Sequence, residues 1–189
     1  DALAVAHGAR VLHRDLKPSN VLVDASGQPR ITDFGLAKSL TGESDLTSTG
    51  QVLGTPSFIP PEQITPDRGA VGPPSDVYSL GAILYHLLTG RAPVVADSLE
   101  STLLAVLHEE PIAPRLLDRG IPRDLETICL KCLQKNPHRR YVSAEALADD
   151  LDLARAIADE LPDAVAEGLQ LIYKRFNAML EANNVVPFE

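Results

Sequence analysis

"VLHRDLKPSNVLVD", residues 11–24, sets His13, Arg14, Asp15, Lys17 and Asn20 within eight positions and then runs into an apolar, strand-like segment. Polar and charged groups at the mouth of a strand are costly unless something satisfies them. A polar turn with helix-capping duties is the structural explanation; a site that holds charged ligands is the chemical one. The flanking sequence decides between them.

Downstream, "NVLVD" and "PRITDF" read as two short strands separated by "ASGQ", where Gly27 tolerates the positive φ of a turn. A two-stranded ribbon should therefore follow the polar cluster. Upstream, "DALAVAHGAR" has helical apolar spacing and no convincing N-cap, so it reads as the back end of a helix that starts earlier. From Leu36 to Pro74 the chain is rich in Gly, Ser, Thr and Pro and loses periodicity. That length is unusual for a simple connection and favours a functional loop.

"SDVYSLGAILYHLLTG" places Leu80, Ile83, Leu84, Leu87 and Leu88 on one broad face, with Ser75 or Asp76 as the start and Gly90 as the stop. Being apolar nearly all round, it should be a central, buried helix. Further helices are expected around 98–109, around 123–134 and from Ser143 into the 150s, with Pro111, Pro114, Pro122 and Pro137 as punctuation. Beyond Pro162, Val165, Leu169, Ile172, Phe176 and Leu180 fall at helical spacing and mark a separate amphipathic helix, capped at Asn183 or Asn184.

The 189 residues are 44% hydrophobic, enough for one core or a core with an appendage. The formal charge is −9, and no cluster of Lys and Arg is interleaved with aromatics, so nucleic acid is not an expected partner. No apolar run reaches bilayer length and no secretory pattern opens the sequence, which leads to the expectation of a cytoplasmic protein without a membrane segment. The cysteines, Cys129 and Cys132, form one C-x-x-C, but with Leu125, Ile128 and Leu133 they complete the buried stripe of a helix. Core packing is the reading preferred over metal or redox chemistry.

Several motifs then fall in order. "HRDLKPSN" followed by "DFG" resembles the catalytic loop and metal-binding motif of eukaryotic-type (Hanks-type) serine/threonine protein kinases. "GTPSFIPPE" resembles their substrate-docking segment, and "SDVYSLGAILYHLLTG" the long helix anchoring the large lobe. The resemblance covers roughly residues 2–155. It implies a mainly α, helical C-lobe with a small two-stranded β ribbon at the catalytic cleft, spanning 1–158; the amphipathic C-terminal helix expected over 159–189 does not belong to that pattern.

The resemblance also implies a chemistry: transfer of the ATP γ-phosphate to Ser or Thr hydroxyls of a protein substrate. Such a transfer leaves the protein mainly to position and neutralise charged oxygens. Asp15 would be the base, Lys17 the phosphate contact, Asn20 and Asp33 the Mg²⁺ ligands, and Thr55 would close the site beside Asp15 and Lys17. Lys17, Asn20 and Asp33 would thus hold the nucleotide with its metal. Lys17 and Thr55 favour Ser/Thr over Tyr as acceptor.

Arg14 would pair with a phosphate on the following loop, at Thr47 or Thr49. Structural roles are implied for an ion pair between Glu62 and Arg140 and for Asp76 as anchor of the catalytic-loop backbone. His13 is expected to be a packed framework residue, and His7, His86, His108 and His138 ordinary helix or surface residues.

The sequence departs from the pattern at Pro60, where the family carries a small Ala, and at Val94, where an aromatic is frequent. It holds no Gly-rich phosphate loop and no strand lysine. Full activity is thus expected to need an N-lobe, and the apolar surface where that lobe would rest predicts self-association. The alternative is an incomplete kinase remnant that serves as a protein-binding scaffold.

Overall fold

The computed structural model describes residues 2–25, 28–34 and 56–159. Seven helices and one ribbon are seen among them. In chain order they are α1 (Ala2–Gly8), β1 (Val21–Val23), β2 (Pro29–Ile31), α2 (Pro61–Ile64), α3 (Pro73–Thr89), α4 (Leu99–His108), α5 (Pro114–Leu117), α6 (Arg123–Cys132) and α7 (Ala144–Asp159). The ribbon is antiparallel, with Val21 opposite Ile31 and Val23 opposite Pro29. The ribbon and the helices expected before Pro162 are present; the helix expected beyond Pro162 lies outside the described residues. The fold is a mainly α assembly, as the polar-cluster reading requires.

α3 is the axis of the molecule. Val77, Tyr78, Ala82, Ile83, Tyr85 and Leu88 are all buried, so the helix is covered on nearly every side, as its composition demands. It begins two residues earlier than expected. Pro73 and Pro74 occupy its first turn, where the missing N–H costs nothing and the fixed φ suits a helix. Ser75 lies inside the helix, and its hydroxyl accepts the Gly72 N–H at 3.1 Å. At the other end Gly90 adopts a left-handed φ of 74° and its N–H donates to the His86 carbonyl, the stop that glycine allows.

α6 packs so closely on α3 that a Cβ built on Gly81 would lie 2.3 Å from the Cys132 Cβ. Only a residue without a side chain fits there. Leu125, Ile128, Cys129, Cys132 and Leu133 are buried as the stripe predicts. Burial raises both thiols, Cys132 to about 12 and Cys129 well above its usual range. Both pack in the core, where apolar surroundings favour the protonated thiol.

Two further findings differ from the sequence expectation. The stretch before Pro74, expected to be irregular, contains α2 and short 3-10 turns at Pro56–Phe58 and Pro66–Arg68. Pro114 was expected only as punctuation, yet it opens α5, because a proline at the first helical position starts a helix as readily as it ends one.

Candidate active site

The polar cluster lies on the loop between α1 and β1, and Asp76 near the start of α3 holds that loop by its backbone. One Asp76 oxygen accepts the His13 N–H at 2.9 Å and the other accepts the Arg14 N–H at 2.9 Å. Arg14 has φ of 68°, the left-handed region a non-glycine residue rarely occupies. The Arg14 carbonyl is held as well, accepting the Gln63 amide at 2.9 Å. The peptides on both sides of Arg14 are thus held.

His13 is fully buried and does the framework work expected of it. Its Nδ1 accepts the Asp15 N–H at 3.3 Å, so Nε2 carries the proton and donates to the Thr32 carbonyl at 2.7 Å. The ring also stacks at a tilt against Phe34, 4.8 Å between centroids. Loop and ribbon are joined through this one imidazole. His7, expected to be ordinary, is not: its side chain is buried and its Nε2 lies 2.8 Å from the Asp76 carboxylate. Nothing local signals this, since the partner is far away in sequence.

Three of the expected residues meet directly. The Lys17 ammonium donates to Asp15 Oδ2 at 2.7 Å. The Asn20 amide nitrogen donates to the Asp15 carbonyl at 2.8 Å and to Oδ2 at 3.2 Å. Asn20 is buried, whereas the Asp15 side chain is 43% exposed and Lys17 24%. The carboxylate is therefore oriented by two donors and still open to an incoming group.

Asp33 is placed by the ribbon. The Thr32 N–H donates to the Asn20 carbonyl at 3.0 Å, one step beyond the paired strands. Asp33 follows it with a left-handed φ of 62° and an exposed side chain. Because the Asn20 nitrogen is committed to Asp15, its amide oxygen is the atom left for a cation. That oxygen and the Asp33 carboxylate are hard donors of the kind Mg²⁺ takes. Among the described residues no three His, Cys, Asp or Glu side chains cluster to hold a metal by themselves. Thr55, Thr47 and Thr49 lie outside the described residues.

Beneath the cleft, Glu62 and Arg140 form the expected ion pair, with bonds of 2.6 and 2.9 Å and both side chains fully buried. The remaining guanidinium hydrogens go to the carbonyls of Gln134, Pro74 and Lys135, so all five donors are used. Ser75 donates a further bond to Glu62. Arg140 also lies over the Tyr78 ring, 4.8 Å from its centroid, and burial raises the Tyr78 hydroxyl far above its ordinary range.

A catalytic-loop aspartate tied to lysine and asparagine, an anchoring aspartate on the central helix and a buried Glu–Arg pair are the framework of one family. The family model described as "Protein kinase domain" matches residues 1–151. The chain belongs to the protein kinase family.

Among its kinase relatives, Serine/threonine-protein kinase PknB of Mycobacterium leprae is 38% identical over 163 residues, covering 86% of this chain and 26% of that protein. Serine/threonine-protein kinase PknL of Mycobacterium tuberculosis is 40% identical over 160 residues, covering 84% of this chain and 38% of that protein. This chain is similar to a Hanks-type serine/threonine kinase throughout the matched region. It spans about a quarter of the length of the PknB relatives. Kinases of this family use ATP and a divalent metal.

Proposed function

We propose that this chain is the large-lobe part of a serine/threonine protein kinase that transfers the ATP γ-phosphate to Ser or Thr hydroxyls of proteins. The observation that carries the reading is the Lys17–Asp15–Asn20 knot. It orients one half-exposed carboxylate at the end of a loop fixed by Asp76.

Asp15 accepts the proton of the substrate hydroxyl as the oxygen attacks phosphorus. The two hydrogen bonds to Oδ2 hold the carboxylate in one rotamer, so its other oxygen faces the acceptor in a single geometry. Of the three Lys17 ammonium hydrogens, one is bonded to Asp15 among the described residues, and the others reach the transferring phosphoryl group. Asn20 through its oxygen and Asp33 through its carboxylate would hold Mg²⁺, which would supply neutralisation of the phosphate oxygens. Lys17 and Thr55 select a Ser or Thr acceptor.

The Arg14 side chain is exposed and is assigned to a phosphate on Thr47 or Thr49, which would order the loop. Residues 1–158 are assigned to the C-lobe; the amphipathic helix expected over 159–189 lies, but for Asp159 at the end of α7, outside the described residues. A cytoplasmic location is part of this reading; among the described residues no helix is long and apolar enough to cross a membrane. Full activity requires an N-lobe to cover the nucleotide.

The test uses the protein at its native length, with labelled ATP, Mg²⁺ and a protein acceptor. Asp15→Asn should lower kcat by roughly 10²–10⁴, with label recovered on Ser or Thr in the unaltered protein. Label on tyrosine would remove the acceptor assignment. Equal transfer by Asp15→Asn would remove the base, and absence of transfer would favour a scaffold.

A further inference from the structure

Gln63 is the residue the catalytic-loop motif does not name and the geometry singles out. It lies in α2, immediately after Glu62. Its amide nitrogen donates to the Arg14 carbonyl at 2.9 Å across 49 residues of sequence. The accepting carbonyl belongs to the peptide bond between Arg14 and Asp15. Arg14 sits at φ of 68°, a conformation that persists in a residue with a side chain only when its surroundings over-determine it.

On the N–H side that determination comes from Asp76. On the carbonyl side, among the described residues, it comes from Gln63. Rotation of the Arg14–Asp15 peptide would swing the Asp15 N–H off His13 Nδ1 and turn the Asp15 side chain away from Lys17 and Asn20. The neighbouring Glu62 is locked to Arg140 and Ser75, so Gln63 projects from a rigid base. α2 begins at the last two residues of the segment assigned to substrate docking.

We propose that Gln63 is a positioning residue for the transfer reaction: it clamps the Arg14–Asp15 peptide, and so sets the angle of the Asp15 carboxylate from the docking side of the cleft. This rests on the kinase reading above. Gln63 touches neither nucleotide nor acceptor in this role. Loss of the clamp acts on the chemical step and leaves the binding of both substrates alone.

The experiment compares the native-length protein with Gln63→Met, which keeps the length of the side chain and removes the donor, and with Gln63→Glu, which places an acceptor opposite the carbonyl. kcat should fall about ten- to a hundredfold in both, since small misplacements of a catalytic group have effects of that order. KM for ATP and for the acceptor protein should hold, and the thermal midpoint should move by no more than a few degrees. Amide exchange at residues 13–16 should quicken in the variants, and Gln63→Glu should be the more affected.

A kcat equal to that of the unaltered protein, or a raised KM for the acceptor at unchanged kcat, would overturn the proposal. If the unaltered protein transfers no phosphate, the kinase reading fails by itself. The exchange measurement then still decides the clamp, with unchanged protection at 13–16 counting against it.

Discussion

Two ion pairs, one between α2 and the chain after α6 and one within the catalytic loop, behave as different materials. Glu62–Arg140 is wholly buried, bidentate and saturated by carbonyls and a serine hydroxyl. Asp15–Lys17 is a single contact of similar length with both side chains partly in water. Desolvated charges must be fully matched because any unpaired one is costly. Exposed ones are screened and add little. The first pair is therefore committed to architecture, and the second can exchange partners during a reaction at little cost in folding.

Arg140→Ala tests the contrast most severely. It leaves the Glu62 carboxylate, three backbone carbonyls and the Tyr78 face without their cation, and stability should fall by about 3–5 kcal/mol. A denaturant titration showing under 1 kcal/mol would mean the buried pair is dispensable and the distinction false. Gly81→Ala probes the same rigid base without charge. A Cβ at 2.3 Å from Cys132 Cβ has to push α3 from α6, and overpacking of this kind costs roughly 1–3 kcal/mol. Unchanged stability there would show that the helices part easily.

On the cleft side, Lys17→Met should change unfolding free energy by no more than about 1 kcal/mol. A larger loss would place Lys17 among the structural groups.

The smallest effect is a pH slope. Lys135 donates to the Val106 carbonyl at 2.8 Å near the end of α4, and burial lowers its pKa from 10.5 to about 8, with Glu110 opposing. Below pH 8 the amine is charged in both states and the burial cost is constant. Between about 8 and 10.5 the unfolded chain binds more protons, so this group's contribution to stability rises with pH. Above pH 9 the raised thiols of Cys129 and Cys132 act in the opposite sense, because the unfolded chain loses those protons first. The rise is thus clearest between pH 8 and 9, and Lys135→Met should abolish it in thermal melts. A variant that keeps the slope would assign it elsewhere.

Much of this was legible because it is local. Strand alternation, the turn at 24–28, helical stripes and the spacing of His13, Asp15, Lys17 and Asn20 are properties of short windows. The motif order extended that reach to Glu62, Asp76 and Arg140, whose partners are far apart in sequence. His7 and Gln63 escaped because their meaning depends on groups brought close only by folding, and neither residue type carries a periodic signal. The α3 start was misplaced because proline was weighed as a breaker when at a first turn it is an initiator. Thr55 and the helix after Pro162 lie outside the described residues.

The bond from Thr32 to the Asn20 carbonyl makes the distance between the two assigned cation ligands a matter of rung number. A residue inserted between Val23 and Pro29 lengthens the hairpin beyond its last pairing and leaves Asn20 and Asp33 where they were. The same insertion between Pro29 and Thr32 shifts the register by one and sends every following side chain to the reverse face of the ribbon. Drift in length should thus be tolerated at the tip and purged at the root.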